Sequence, residues 1–280
     1  MKRVATAVLL VPVILLIVFR GFPWIFAGTV LVVALFATYE YFNLLDAIGT
    51  KALRISGYVA VLLSASPFGS MISPVLFFVV AFEGLLRGPG ERGFHRGALT
   101  YFAVPYILLP LSALIRIRED YEGTFLIIFL FAVVWLGDAA AFYVGKAIGI
   151  HKMSPSVSPG KSWEGAVASV VAAVIAGVLL VHYSRPIWAA ASHARLIDSF
   201  LVPNQRMFPG TPLMRFAILA ICINVAAQMG DLFESLIKRE ANVKDSGSLL
   251  PGHGGVLDRV DALLFAAPTM WALSRVLLLA

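Results

Sequence analysis

Acidic and basic side chains recur at helical spacing toward the end of this chain. Asp231 and Glu234 stand at i and i+3, and Ser235 and Lys238 continue that face at i+4 and i+7. Asp258 and Asp261 repeat the i, i+3 pair further on. Between the pairs runs Lys244-Asp245-Ser246-Gly247-Ser248-Leu249-Leu250-Pro251-Gly252-His253-Gly254-Gly255. Carboxylates are hard oxygen ligands, and Mg²⁺ is commonly held by one or two of them plus substrate phosphates and water. Lys238, Arg239, Lys244 and Arg259 can balance phosphate charge. The glycines are expected to offer backbone N–H groups to an anion. Acids for a metal, bases for phosphates and a glycine cradle suit phosphoryl or nucleotidyl transfer. Any one of these residues also fits a solvated turn whose charges pair among themselves. The ensemble, flanked by two acid-bearing helices, does not.

A second cluster lies upstream. Asp138 sits inside an apolar helix, where a carboxylate is expensive and therefore a functional candidate. Ala141, Gly145 and Gly149 extend its face, and such small-residue faces let helices approach closely. Asp138 is therefore expected in a helix–helix interface, as a metal ligand or as a residue bonded across that interface. Ser158-Pro159-Gly160-Lys161-Ser162-Trp163-Glu164-Gly165 contains Gly-Lys-Ser, but the P-loop glycine would fall at Pro155 and a membrane helix precedes in place of a strand. The segment is no Walker motif, yet it can set Lys161 and Ser162 beside an anion at the start of a helix. His95, His151, His182 and His193 are scattered and read as incidental. Trp163 reads as an interfacial anchor.

The elements that must position these residues are membrane helices. Sixty per cent of the 280 residues are hydrophobic and 14% charged, against about 25% charged in soluble domains. Long apolar runs fall at about 4–19, 24–46, 98–115, 124–147, 165–182, 216–237 and 261–279, and each nears the roughly 20 residues that cross a bilayer. The apolar stretch 54–87 is broken at Ser66-Pro67-Phe68-Gly69-Ser70, which predicts shorter helices near 53–66 and 71–87. The fold class is all-α: a polytopic integral membrane protein of about nine transmembrane helices, with the short 53–66 piece able to be re-entrant. The N-terminal run lacks a good cleavage site and reads as a retained first helix. Residues 1–120 form N-terminal transmembrane helices. Residues 121–280 form the catalytic helices, with cytoplasmic loops 147–164 and 238–260. Loop 183–215 is expected to form an external cap or a tolerated loop.

Lysine and arginine concentrate in the two motif loops, which predicts a cytoplasmic N-terminus and an inner-membrane protein whose site faces the cytoplasm. The net charge of +6 reads as contact with anionic head groups or phosphorylated substrates and not with nucleic acid. A single cysteine, Cys222, excludes a disulfide framework and a thiolate cage. Self-association as a homodimer is left open.

The run from Ser235 to Asp261 closely resembles the signature of the phosphatidate cytidylyltransferases, the CDP-diacylglycerol synthases. Asp138 with Tyr143 and Gly145, and Ser158 to Gly165, resemble a second region of that family. The likeness spans roughly 133–270, and the N-terminal helices share only hydrophobicity and length. It implies transfer of CMP from CTP to phosphatidic acid, giving CDP-diacylglycerol and pyrophosphate, with Mg²⁺ or another divalent cation. On that reading Asp138, Asp231, Asp258 and Asp261 surround the metal, with Asp245 next. Lys238, Arg239, Lys244 and Arg259 engage phosphates. Ser235, His253, Gly254, Gly255, Lys161, Ser162 and Glu164 bind substrate. Two rivals are a CTP-dependent polyprenol or lipid kinase, and an ion-coupled transporter using Asp138, Asp231 and Glu234.

Overall fold

A computed structural model describes residues 12–19, 21–66, 68–86, 93–120, 122–195, 208, 210–249, 252 and 254–278. Among them the expected all-α architecture holds, with one β-hairpin as the exception. Helix α1 covers 12–19, α2 Pro23–Ala47, α3 Arg54–Ser64 and α4 Gly69–Leu86. Helices α5 (Gly93–Tyr101) and α6 (Leu109–Glu119) join through a π-helical turn, Val104–Leu108, into one rod. Then come α7 (Gly123–Ile148), β1 (Lys152–Ser154), β2 (Ser158–Ser162), α8 (Trp163–His182), α9 (Ser184–His193), α10 (Leu213–Glu240) and α11 (Leu257–Leu277).

Seven described helices are long and apolar enough to cross a membrane: α2, α4, the α5–α6 rod, α7, α8, α10 and α11. At 11 residues α3 reaches only about 16 Å of a hydrocarbon core of about 30 Å. Loop 183–215 begins with α9, whose Trp188 is buried against Phe125 and Phe19 at ring separations of 5.5 and 6.0 Å. Residues 196–207 lie outside the described set.

The helices pack as lipid-embedded elements do, through small residues and internal polar contacts. Along α7, Gly137 faces Asn224 and Ser169, Gly145 faces Gly165, and Gly149 faces Ser162. A Cβ on Gly165 would lie 2.8 Å from the Ala141 carbonyl oxygen, so only glycine permits this crossing. Asn224 donates to Ser169 Oγ at 3.0 Å and Gln228 to the Ala166 carbonyl at 3.4 Å, tying α10 to α8, while Gln228 also donates to Asn224 Oδ1 at 2.8 Å within α10. The opposite face of α8 exposes Val167, Val171, Ile175 and Leu179 at every fourth position, a stripe suited to lipid tails. Helices α7 and α8 form a hairpin, as do α10 and α11, and both hairpin turns lie at the same end of the molecule. Arg239, at the end of α10, donates to the Val157 carbonyl in the turn between β1 and β2 at 3.0 Å.

The connection expected over 147–164 contains a β-hairpin. Lys152 pairs with Ser162 and Ser154 with Ser158 in an antiparallel hairpin. The turn closes by Val157 N–H donating to Ser154 C=O at 3.2 Å, with Pro155 in the second position that proline's fixed φ favours.

Candidate active site

The site is built where the β-hairpin and the α10–α11 loop meet. Ser162 ends β2 and starts α8: it is buried, and its Oγ accepts the Gly165 N–H at 3.2 Å as an N-cap. Glu164, in the first turn of α8, accepts from His151 N–H at 3.1 Å and meets His151 Nδ1 at 2.6 Å. Glu164 therefore fastens the hairpin, and His151 is its structural partner. Both Ser162 and Glu164 are expected to bind substrate, yet their polar atoms are turned to the fold. Lys161, just before Ser162, points the other way. Its Nζ lies 2.8 Å from Asp231 Oδ2 on α10.

Helix α10 ends in a Schellman motif, in which Asn242 adopts positive φ (55°). Val243 N–H returns to Lys238 C=O and Asn242 N–H to Arg239 C=O. This termination holds Lys238 facing inward. Its Nζ contacts Glu234 Oε2 at 2.5 Å and Asp258 Oδ1 at 2.7 Å. Asp258 Oδ2 accepts two backbone donors, Ser246 N–H at 2.9 Å and Gly255 N–H at 2.7 Å. The Glu234 side chain is fully buried and the Asp258 side chain 6% exposed, whereas the Asp231 side chain is 40% exposed. Asp231 is thus the open carboxylate, with Ser235 Oγ weakly bonded to it at 3.4 Å.

Asp261, one turn into α11, interacts electrostatically with Asp231, Glu234 and Lys238, and its Oδ1 accepts the Ala262 N–H at 2.7 Å. Asp138 couples to Asp231 and Lys161. Its expected place inside a helix–helix interface is corrected. Gly137, Ala141 and Gly145 take that interface, and Asp138, one residue round the helix, lies on the open face beside Lys161. Arg239, Lys244, Asp245 and Arg259 are exposed at the rim. His253 lies outside the described residues.

In the expected glycine cradle, the Gly255 amide is already engaged by Asp258 Oδ2. Amides of this loop already have acceptors: Ser246 and Gly255 serve Asp258, while Val256 and Leu257 serve Glu40. The glycines are needed for close approach of these carboxylates. Gly254 has φ +78°, and a Cβ there would lie 2.7 Å from Asp258 Oδ2. A Cβ on Gly255 would run into Ser246 Oγ and Glu40.

Glu40, on α2, is the residue sequence reasoning missed. It is fully buried and takes Val256 N–H at 3.0 Å, Leu257 N–H at 2.7 Å and Ser246 O–H at 3.1 Å. The signal was present: an acid inside an apolar run, the same rule that singled out Asp138.

Five acids, with Glu234 and Asp258 enclosed, Asp261 partly buried, and Asp138 and Asp231 open, thus share this end of the molecule with two lysines, Lys161 and Lys238. That surplus of negative charge suits a bound cation. Among the described residues no three His, Cys, Asp or Glu side chains converge as a ready-made metal cage. Mg²⁺ does not require one, because phosphate oxygens and water complete its shell. The donor set fits an ion that arrives with a polyphosphate.

This arrangement of hairpin lysine, paired acids and glycine loop coincides with a family match over residues 1–277. The chain belongs to the cytidylyltransferase family. The match takes in the N-terminal helices, including α2 with Glu40, which the signature alone did not reach. The chain is 35% identical over 173 residues to the phosphatidate cytidylyltransferase of Haemophilus influenzae, covering 60% of this chain and 54% of that protein. It is 39% identical over 180 residues to the enzyme of that name from Brucella suis, covering 64% and 56%. With the one from Rickettsia felis it shares 33% over 183 residues, covering 63% and 73%. The matched region spans little more than half the length of the first two relatives.

Proposed function

We propose that this chain is a phosphatidate cytidylyltransferase, moving CMP from CTP to phosphatidic acid with release of pyrophosphate. The observation that carries the reading is the 2.8 Å pairing of Lys161, in the second signature region, with Asp231, on the helix that leads into the first, in one open, charged site. Membership of the cytidylyltransferase family supports it.

In the reaction a phosphate oxygen of phosphatidic acid attacks the α-phosphorus of CTP. The new P–O bond forms as the bond from that phosphorus to the bridging oxygen breaks, and pyrophosphate leaves with its charge. The attacking phosphate is already anionic, so no strong general base is required. Lys161, with Arg239, Lys244 and Arg259 at the rim, offsets the repulsion between the two polyanions and stabilises charge on the leaving group. Asp231 and Asp261, with Asp138 alongside, would hold a divalent cation, while Asp258 is occupied by Lys238 and two N–H groups. Such a cation supplies Lewis-acid polarisation of the phosphoryl oxygens. Ser235 and His253 position substrate from the α10 face and the loop. The loops face the cytoplasm in the inner membrane, where CTP is available.

Purified protein given labelled CTP and phosphatidic acid should transfer label into the lipid phase with stoichiometric pyrophosphate, and only with a divalent cation. CDP in place of pyrophosphate would assign a lipid kinase. Solute flux in proteoliposomes without consumption of CTP would assign a transporter. Orientation is read by labelling Ser248→Cys in intact and permeabilised cells with an impermeant thiol reagent. Labelling in intact cells would overturn the cytoplasmic placement.

A further inference from the structure

We propose that Glu40 is a positioning residue of the transfer site: from α2 it fixes the α10–α11 loop, and through it the acids of α11. The proposal rests on the function stated above. It extends the working site to an N-terminal helix that the signature residues do not include.

Burying a carboxylate without a basic partner is costly unless hydrogen bonds replace its hydration. Glu40 is fully buried, and its described hydrogen-bond partners are two N–H groups and one hydroxyl. Those N–H groups belong to Val256 and Leu257, the first donors of α11, where a negative charge is also favoured by the helix dipole. A helix start can be capped by its own serine or aspartate. Here Val256 supplies no side-chain cap, and the cap comes from another helix far away in the chain. The loop is shaped around it: a Cβ on either Gly247 or Gly255 would collide with the Glu40 carboxylate.

The link continues to the chemistry. Ser246 Oγ donates to Glu40 Oε2 at 3.1 Å and accepts the Asp258 N–H at 3.3 Å, while Ser246 N–H reaches Asp258 Oδ2 at 2.9 Å. Asp258 in turn holds Lys238, and Asp261 follows on the next turn of the same helix. Glu40 thus orients α11 and sets where Asp258 and Asp261 stand, without touching substrate. A packing residue would affect stability alone. A positioning residue alters turnover of folded protein and the order of the loop.

The test uses the full chain in detergent, with Glu40→Gln, which keeps volume but replaces one acceptor oxygen by a donor. Two readouts are taken on monodisperse protein: kcat against KM for both substrates, and the rate of tryptic cleavage after the exposed Lys244. The expected result is a kcat lowered about 10–100-fold, the scale of a misplaced reacting group, with KM little changed and cleavage several-fold faster. Unchanged kcat per folded molecule with unchanged cleavage overturns the proposal, whatever the melting temperature does. If Glu40→Gln does not fold, Ser246→Ala breaks the same link and is judged by the same two readouts. Should the wild type transfer no CMP, the proposed function fails, and the cleavage rate alone decides the role of Glu40.

Discussion

Lys161 of the β-hairpin and Asp231 of α10 form an ion pair at 2.8 Å across the mouth of the site. Both side chains remain partly accessible, at 24% and 40%, so the pair is worth little to stability. Its value is chemical: it holds one cation and one open carboxylate together before substrate arrives. Lys161→Ala and Asp231→Asn are each expected to lower kcat/KM about 100-fold or more, equivalent to about 2.7 kcal/mol, with melting temperature nearly unchanged. Their double mutant should lose far less than the product of the two. Steady-state kinetics on the four proteins checks this, and full multiplicativity would separate the two roles.

Lys238 is a different case. It is enclosed between Glu234 and Asp258, whose side chains are 0% and 6% exposed. Removing it leaves two buried carboxylates facing each other, and breaking such a pair costs about 3–5 kcal/mol. Lys238→Ala should therefore lower the melting temperature in detergent and the yield of monodisperse protein, along with activity. A variant that keeps wild-type stability and loses only turnover would place Lys238 on substrate instead.

How far these relationships were legible in the sequence depends on how local they are. Asp231, Glu234, Ser235 and Lys238 share a helix face by spacing alone, so their grouping could be read directly. Asp258 and Asp261 announced themselves the same way, but the partner of Asp258 could not be read. It lies across a loop in which the Ser246 and Gly255 amides turn inward to Asp258, whereas glycine-rich composition suggested amides turned outward to an anion. The hairpin over 152–162 was hidden because Pro155 and Pro159 are strand-breaking signals, although Pro155 here makes the turn. Glu40 stood out as an acid in an apolar run, but its partners lie more than two hundred positions away, and no local pattern encodes a contact of that range.

The polar contact between Asn224 and Ser169 holds α10 against α8 and so sets the distance between Asp231 and the hairpin. Interhelical hydrogen bonds in bilayers contribute about 0.6–2 kcal/mol. Asn224→Ala should thus lower the melting temperature by a few degrees and Ser169→Ala by less. The double mutant should fall short of the sum, because either change already breaks the bond. Thermal unfolding of the three variants in one detergent tests this.

Gly255 offers the sharpest steric test of the loop. An added methyl has no room between Ser246 Oγ and the Glu40 carboxylate, and the N–H of Gly255 must stay 2.7 Å from Asp258 Oδ2. Neither neighbour can withdraw without uncovering α11 donors. Gly255→Ala is therefore expected to displace the loop, lower kcat at least about 100-fold and destabilise the protein by about 1–3 kcal/mol, the usual scale of overpacking. Gly160→Ala is the control: a Cβ there meets nothing within 4 Å, and this variant should retain wild-type stability. If Gly255→Ala turned over normally, the loop would have to be free to move away from Glu40 and Asp258, and the bonding of the Ser246 and Gly255 amides to Asp258 would not be the working arrangement.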